Sequence, residues 1–203
     1  MQKWSLVVLT LSLAWGQKLP KWDTLVVIET PKGVIRLQLY RQTPIHRANF
    51  LKLAREGFFN GTTFHRVVPN FVIQGGDPNS KDDDPLNDGL GGPGYTLPAE
   101  FVPELKHIYG AVGAARQGDA INPRRESNGS QFYIVVNKAG TPFLDGAYTV
   151  FGKVLAGMEV AEAIAGVPRD RTDRPQEPIR MQVRLERHRV RHLVKQYGDV
   201  YKP

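Results

Sequence analysis

The sequence predicts a mainly β protein, an antiparallel sheet or barrel with helices at its ends. Seven or eight strand-like segments are accompanied by only two or three helical ones. Strands and helices do not alternate regularly, so a doubly wound parallel sheet is not expected. The 203 residues suit one domain with a sizeable core, and 41% apolar and 23% charged residues are ordinary for a globular chain.

The first elements are two strands and a helix. The segments 24–30 (TLVVIET) and 33–40 (GVIRLQLY) are rich in residues that favour strands. Thr43 and Pro44 mark a helix start, because a capping residue precedes a proline whose φ already suits the first helical turn. Gly57 ends this helix.

The later elements follow from apolar runs and breaker residues. A loop is predicted at 78–98, where Gly, Pro and Asp are dense. Further strands are predicted at 64–68, 71–76, 109–116, 131–136, 150–155 and 179–186. A short helix is predicted at 158–164. Apolar residues at helical spacing in 190–197 predict a tail helix or a segment that lies back on the body.

The N-terminus has the pattern of a secretory signal peptide, assigned to residues 1–16. A cationic start precedes an apolar run at 4–15 that is too short to span a bilayer comfortably, and Gly16 offers a small residue for cleavage. A retained membrane anchor is the alternative. We therefore expect an exported protein, periplasmic or secreted, with no stable membrane insertion after cleavage. The mature domain would span 17–187 and a basic tail 188–203.

The net charge of +7 is unevenly distributed. Residues 169–202 hold ten Lys/Arg and five Asp/Glu, whereas 77–104 hold one Lys and seven Asp/Glu. The basic C-terminal segment is either a solvated strand and tail or a binder of anionic surfaces or nucleic acid. No aromatic residues are interleaved with its basic residues for stacking on bases, so no nucleic-acid partner is expected.

Several familiar motifs are excluded. The chain has no cysteine, which rules out disulfides and thiolate chemistry. The glycine-rich run 89–94 follows no strand and opens no helix, so it is not a phosphate loop. Ser130 lacks the flanking glycine of a nucleophile elbow. The histidines lack metal-ligand spacing except for His188 and His192 in the tail, and 82–84 lack the spacing of a calcium loop. No metal or cofactor is expected.

One arginine stands out in FHRVVPNFVIQGGD, residues 64–77. Arg66 lies among apolar residues, where a charge is costly. Such an arginine is usually retained because something needs its planar fork of donors. The stretch is therefore a candidate functional site.

Four stretches together carry a resemblance to a known family. They are FHRVVPNFVIQGGDP (64–78), SNGSQFYI (127–134), FLDGAYTVFGKVLAGMEV (143–160) and HRANFLKLAREGFFNGTTFHR, which leads into the first. From about residue 24 to 186 the chain resembles a cyclophilin, a peptidyl-prolyl cis–trans isomerase. The resemblance implies an eight-stranded antiparallel closed β-barrel capped by two helices, with a shallow site on its outer surface. It also implies proline-containing polypeptides as substrates, no cofactor, and a monomer.

The family's site is carried over position by position. Arg66 matches the catalytic arginine, and Gln74 matches the glutamine that holds the substrate backbone. Ala115 and Arg116 match the stretch that pairs with the peptide. The substrate-binding positions implied by the resemblance are Phe71, Val72, Gln74, Ala115, Arg116, Gln131, Tyr133, Phe143, Leu144 and Tyr148.

Five of these positions depart from the usual family residues. Val72 replaces methionine, Arg116 replaces asparagine, and Tyr133 brings a hydroxyl to a pocket that usually has phenylalanine. Phe143 replaces tryptophan and Tyr148 replaces histidine, two changes that resemble bacterial members. The replacement of tryptophan by Phe143 predicts weak cyclosporin binding.

The reaction implied by the resemblance suits these residues. Rotation about an X–Pro bond faces a barrier of about 18–20 kcal/mol because amide resonance must be broken. A donor aimed at the prolyl nitrogen stabilises the twisted transition state, and an arginine donates without losing its charge. An acceleration of about 10⁵ requires about 7 kcal/mol. One hydrogen bond does not supply this alone, so an apolar grip on the proline ring is also needed.

Each residue also has a purely structural reading. Arg66 as an ion-pair partner, Gln74 as a buried amide and Arg116 as a surface charge remain alternatives. Tyr133 as a core residue with its hydroxyl at the rim is another, and His65 is expected to be a core histidine with its hydrogen bonds satisfied. For the whole chain, the alternative to an enzyme is a proline-peptide binding module with little turnover. The long segment at 117–127 is expected to lie beside the site.

Overall fold

The computed structural model describes residues 20–82 and 84–201. The predicted signal peptide, 1–16, lies outside the described residues. The strands are β1 (Trp22–Thr30), β2 (Gly33–Leu39), β3 (Arg66–Val68), β4 (Val72–Gly75), β5 (Thr96–Leu97), β6 (Ala111–Ala114), β7 (Ser127–Asn128), β8 (Phe132–Val135), β9 (Val150–Ala156) and β10 (Gln182–Arg189). The helices are α1 (Pro44–Arg55), α2 (Met158–Ala165) and α3 (Val190–Tyr197).

Eight strands form one antiparallel sheet in the order β10-β1-β2-β9-β6-β8-β4-β3. β5 and β7 form a separate two-stranded ladder. The mainly β, antiparallel prediction is therefore confirmed. β5 falls inside the predicted loop at 78–98, because two strand residues between glycines and prolines leave no periodic pattern to detect.

The predicted closed barrel with two capping helices is wrong for the residues described. The sheet ends at β10 on one side and β3 on the other, and the helices number three. β3 has only three residues, and the Val67 N–H donates to the Asp173 carbonyl instead of a neighbouring strand. The segments that precede the two edge strands are nevertheless joined. Thr63 and Arg180 form an antiparallel bridge, and backbone hydrogen bonds link 61–64 to 179–181 on either side of it.

The strand β8 separates two apolar clusters by its alternation. Phe132 and Ile134 face the main core, whereas Tyr133 and Val135 face a smaller cluster on the outer side. This is the period-two separation that the sequence predicts, since successive side chains of a strand point to opposite faces. The outward cluster is where the candidate site forms.

Helix α1 packs its aromatic side into the main core. Phe50 stacks on Phe59 at 4.5 Å between ring centroids and meets Phe132 edge-on at 5.4 Å. The helix begins at Pro44, as predicted, but the Thr43 hydroxyl donates to a carbonyl and does not cap it. The carboxylate of Glu100, 55 residues from Ile45, accepts the first free N–H groups of the helix instead, as the positive end of a helix favours.

The C-terminal segment is folded against the body. α3 lies at the positions predicted for a tail helix, and Val190, Leu193 and Tyr201 are buried with Leu25 of β1. β10 continues to Arg189, two residues beyond the predicted end of the domain at 187. Across 20–82 and 84–201, no helix is both long and apolar enough to cross a bilayer.

Candidate functional site

A shallow cavity of about 360 Å³ opens on the outer side of β4 and β8. Its lining unites residues from β3, β4, β8, the end of β6 and the turn before β9. The lining residues are Arg66, Phe71, Val72, Gln74, Ala115, Arg116, Tyr133, Phe143, Leu144 and Tyr148. Ten of the eleven predicted site residues therefore meet in one place, and Gln131 lies just behind them.

Arg66 is held at the cavity by strand pairing. It lies opposite Gln74 in the β3–β4 ladder, and its Nη1 donates to Gln74 Oε1 at 3.5 Å. Its guanidinium carbon is 5.9 Å from the centroid of the Phe71 ring. Within the described part of the chain no carboxylate pairs with Arg66, which argues against the ion-pair alternative. The guanidinium therefore has donors left for a ligand in the cavity.

Two glutamines carry the hydrogen bonding onward from Arg66. Gln74 Nε2 donates to Gln131 Oε1 at 3.0 Å, and Gln131 Nε2 donates to the carbonyls of Gly89 and Gly91. Gln131 is buried and supports Gln74 from behind, so it does not line the main cavity. The glycine-rich run 89–94 thus anchors this amide pair.

Aromatic and aliphatic side chains form the walls of the cavity. The Phe71 and Phe143 rings stack at 5.8 Å with a 20° angle between their planes. Phe143, in a 3-10 turn with Leu144, is 71% exposed, so it stands at the mouth. Val72 is buried on β4. Together with Tyr133 at the floor, these residues make an apolar slot beside the Arg66 guanidinium.

Arg116 is not a surface charge. Its side chain is 4% exposed, forms an ion pair with Asp119 at 2.7 Å and donates from Nε to the Ala147 carbonyl. Its guanidinium carbon lies 4.4 Å from the centroid of Tyr148, within the range of a cation–π contact. Arg116 therefore ties the segment 117–127 to the wall of the slot.

The Tyr133 hydroxyl points inward and not to the rim. It donates to His107 Nε2 at 2.8 Å, and His107 Nδ1 donates to Asp145 Oδ1 at 2.8 Å. Burial raises the pKa of Tyr133 well above its ordinary value. His107 and Asp145 were not predicted as site residues. The one signal in the sequence was Tyr133 itself, because a buried tyrosine hydroxyl generally needs a partner.

A second cavity of about 710 Å³ adjoins the first. The two share Gln74, Ala115 and Arg116 in their linings. Leu90 and Ile121, which are 78% and 73% exposed, contribute apolar surface to the second cavity. The segment 117–127 thus lies beside the site, as the sequence predicts, and extends the groove in which a chain can bind.

His65 is buried, but its hydrogen bonds are not satisfied as predicted. It is 6% exposed, and neither ring nitrogen has a side-chain partner that meets hydrogen-bond geometry. The reason is position: β3 is a short edge strand, and the ring lies against the loop at Gly89. Burial lowers the pKa of His65 to about 4, with a smaller contribution in the same direction from Arg66.

The described residues contain no group of three or more His, Asp or Glu that could hold a metal ion. Asp83, the middle residue of the acidic run, lies outside them. The arrangement around Arg66 offers fixed donors and an apolar slot, and it places no general base or nucleophile in contact with that slot. Such a site suits binding and distortion of a polypeptide.

The antiparallel sheet carries an arginine beside an outer apolar slot, an arrangement that can bind a polypeptide. The family described as cyclophilin type peptidyl-prolyl cis-trans isomerase/CLD matches residues 25–184. The chain belongs to this family, and its activity is that of a peptidyl-prolyl cis–trans isomerase.

Relatives come from several kingdoms. A peptidyl-prolyl cis-trans isomerase of Schizosaccharomyces pombe is 37% identical over 161 residues, covering 77% of this chain and 94% of that protein. A peptidyl-prolyl cis-trans isomerase of Synechococcus elongatus is 41% identical over 131 residues, covering 64% and 79%.

A solved structure confirms the fold class. A cyclophilin type peptidyl-prolyl cis-trans isomerase of Cryptosporidium parvum superposes with a TM-score of 0.71 at 31% identity. The superposition covers 81% of this chain and 98% of that one. The same protein crystallised in the presence of the dipeptide Ala-Pro matches with a TM-score of 0.70.

Proposed function

We propose that this isomerase is exported and assists the folding of proline-containing chains outside the cytoplasm, with Arg66 as its electrostatic element. The observation that carries the catalytic part is the position of Arg66 beside the slot of Phe71, Leu144 and Tyr133, with no carboxylate to neutralise it among the residues described. Crystallisation of the Cryptosporidium relative in the presence of Ala-Pro supports prolyl peptides as ligands.

The apolar slot and the Arg66 guanidinium have different roles in the rotation about the X–Pro bond. The apolar walls hold the proline ring while the preceding carbonyl swings. As the amide twists, the prolyl nitrogen gains a lone pair, and a donor from Arg66 stabilises that state more than either planar ground state. Because no covalent bond is made or broken, the site requires neither a nucleophile nor a proton acceptor.

The polypeptide on either side of the proline needs its own anchors. The Gln74 amide is oriented by Gln131 and borders both cavities. Ala115 uses its N–H and carbonyl in bonds to Gln131 and Asn128. The backbone of Arg116 follows directly, outside any strand ladder, and is the group we assign to pair with an extended substrate.

The test is exchange across an X–Pro bond in a short peptide, followed by NMR with the mature chain and with Arg66→Ala. We expect Arg66→Ala to lower kcat by about 10²- to 10³-fold, the usual effect of losing one transition-state donor. Arg55→Ala, at the exposed end of α1, is the matched control and should leave the rate unchanged. Peptide binding by the unaltered chain without any acceleration would instead establish a binding module.

Export is tested separately. The cationic start, the apolar run at 4–15 and Gly16 support cleavage after residue 16. Mass spectrometry of the protein recovered from its native host should find Gln17 at the N-terminus in the exported fraction. Recovery of the uncleaved chain in a membrane fraction would replace the proposal with the retained-anchor alternative.

A further inference from the structure

Tyr133 forms the floor of the apolar slot, and its hydroxyl is the polar group buried there. The residue is 4% exposed. A buried hydroxyl without a partner costs free energy, and here it would weaken the binding of an apolar ring. The hydroxyl is paired from behind by His107, at 2.8 Å from Nε2.

The direction of this hydrogen bond follows from the second bond of His107. Its Nδ1 is 2.8 Å from Asp145 Oδ1, and its backbone N–H donates to the same oxygen. A carboxylate only accepts, so the ring proton resides on Nδ1 and Nε2 carries the lone pair. Tyr133 must therefore be the donor, and its hydroxyl proton points away from the slot.

The surroundings leave the Tyr133 ring little room to move. The His107 ring is nearly parallel to it, at 6.0 Å and 15°, and Tyr148 meets it edge-on at 6.1 Å. On the other side is Gly113, where a Cβ would come within 2.3 Å of the ring carbon that bears the hydroxyl. Gly113 does not need a positive φ, so its lack of a side chain serves this close approach.

We propose that His107 and Asp145 are positioning residues of the proline slot, because they hold the Tyr133 hydroxyl away from the substrate. It follows that peptide binding weakens when His107 becomes doubly protonated. The inference rests on the proposed use of this cavity for the proline ring. A cationic His107 carries hydrogen on Nε2 and no longer accepts from Tyr133, so the hydroxyl proton must turn elsewhere.

The burial of His107 places this change on the acid side of neutrality. Burial lowers its pKa below the ordinary 6.5, while the bond to Asp145 opposes the shift and Lys106 adds to it. Burial acts to raise the pKa of Asp145, but the hydrogen bonds from His107 outweigh it and hold the pKa below the ordinary value. Tyr148 and Arg116 are the other groups that face Tyr133.

The experiment measures the Kd of a short X–Pro peptide by NMR titration, and KM and kcat by exchange, between about pH 5 and pH 8. We expect the unaltered chain to lose affinity as the pH falls below 6.5. His107→Leu should raise Kd and KM about tenfold at neutral pH, with a smaller effect on kcat, because the hydroxyl loses its partner. Kd reports on the hydrogen bonds between Tyr133, His107 and Asp145 even if the protein does not turn over the peptide. Absence of turnover would therefore contradict the proposed function without deciding this inference.

Three variants separate positioning from a merely structural role. In a Tyr133→Phe background, His107→Leu should cost less than about twofold, since no hydroxyl remains to be held. His107→Gln keeps an acceptor that does not titrate, so it should restore most of the affinity and abolish the loss in acid. Tyr133→Phe alone should also lack the acid loss, and it supplies the test if His107→Leu fails to fold.

The chain offers a matched control. His46 has the same arrangement, with a carboxylate of Glu100 on Nδ1 at 2.6 Å and the Ser127 hydroxyl on Nε2 at 2.9 Å, but it lies outside the slot. His46→Gln should leave Kd and its pH profile unchanged. The proposal is overturned if His107→Leu costs the same in both backgrounds, or if the loss of affinity in acid persists in His107→Gln.

Discussion

At position 133 a single hydroxyl determines what its neighbours must be. The ring fills the slot floor, its oxygen needs an acceptor, and its width excludes a side chain at position 113. His107 supplies the acceptor and Gly113 supplies the space. Residues that are far apart in the chain are thus linked by one side chain, and neither His107 nor Gly113 is recognisable as a site residue on its own.

Gly113→Ala tests this crowding. The added Cβ would lie 2.3 Å from the Tyr133 ring, which has His107 behind it, so we expect a loss of about 1–3 kcal/mol in stability. Displacement of the floor should also weaken peptide binding. Chemical denaturation and a peptide titration measure the two effects. Gly118→Ala, where a Cβ would meet nothing within 4 Å, is the control, and equal behaviour of the two variants would contradict the crowding argument.

At the scale of single elements, the short edge strand β3 positions a site residue and also makes the stability of the protein sensitive to acid. It places Arg66 opposite Gln74, and it also buries the neighbouring His65. With its pKa lowered to about 4, His65 is neutral in the folded protein at neutral pH. In the unfolded chain, the His65 imidazole becomes protonated as the pH falls below 6.5. Between pH 6.5 and about 4 the unfolded chain therefore binds more protons than the folded chain.

Stability should therefore fall on acidification from pH 6.5 to about 4, with His65 accounting for about 3 kcal/mol of the loss. Denaturant unfolding at several pH values measures this. In His65→Leu, the loss of unfolding free energy between pH 6.5 and 4 should be smaller by about that amount. Part of the pH dependence should remain, because burial also lowers the pKa values of His46 and His107. His192→Gln, exposed on α3, is the control. An unchanged slope in His65→Leu would refute the assignment.

Element positions follow well from the sequence where periodicity reports burial. The alternation of QFYIVV predicts that Phe132 and Tyr133 face opposite sides of the strand, and Pro44 marks the start of α1; both predictions are confirmed. The partner that caps α1 does not follow, because Glu100 reaches it from a loop 55 residues away. The open edge at β3 is also missed, since its neighbour is a loop carbonyl with no sequence signature.

At the scale of the whole molecule, the C-terminal segment packs against the first strand of the sheet. The Tyr201 hydroxyl donates to Asp23 Oδ2 at 2.8 Å, and Arg41 and Arg47 hold the other oxygen of that buried carboxylate. Leu193 is buried beneath. The apolar residues of the described C-terminal segment therefore pack on the first strand of the sheet, while its basic residues Arg191 and Lys195 stay exposed.

Tyr201→Phe removes the hydroxyl from this closure. We expect a loss of about 2 kcal/mol, the usual worth of a hydrogen bond to a buried charged group, seen as a lower Tm. Isomerase activity should be unchanged, because Tyr201 and the cluster it packs with share no residue with the lining of the 360 Å³ cavity. Tyr197→Phe, whose half-buried ring packs on the same cluster, is the control. Equal melting of both variants would show that the hydroxyl contributes nothing.

Local patterns predict the helices and most of the strands, because periodicity is a property of neighbours in the chain. The resemblance implies the reaction and the ten residues that line one cavity, because the order of motifs is also read along the chain. The support of that cavity depends on contacts across long separations. His107 lies 26 residues from Tyr133 and 38 from Asp145, and Tyr201 lies 178 from Asp23. Such pairs leave no mark in a single sequence, since only folding brings them within hydrogen-bond distance.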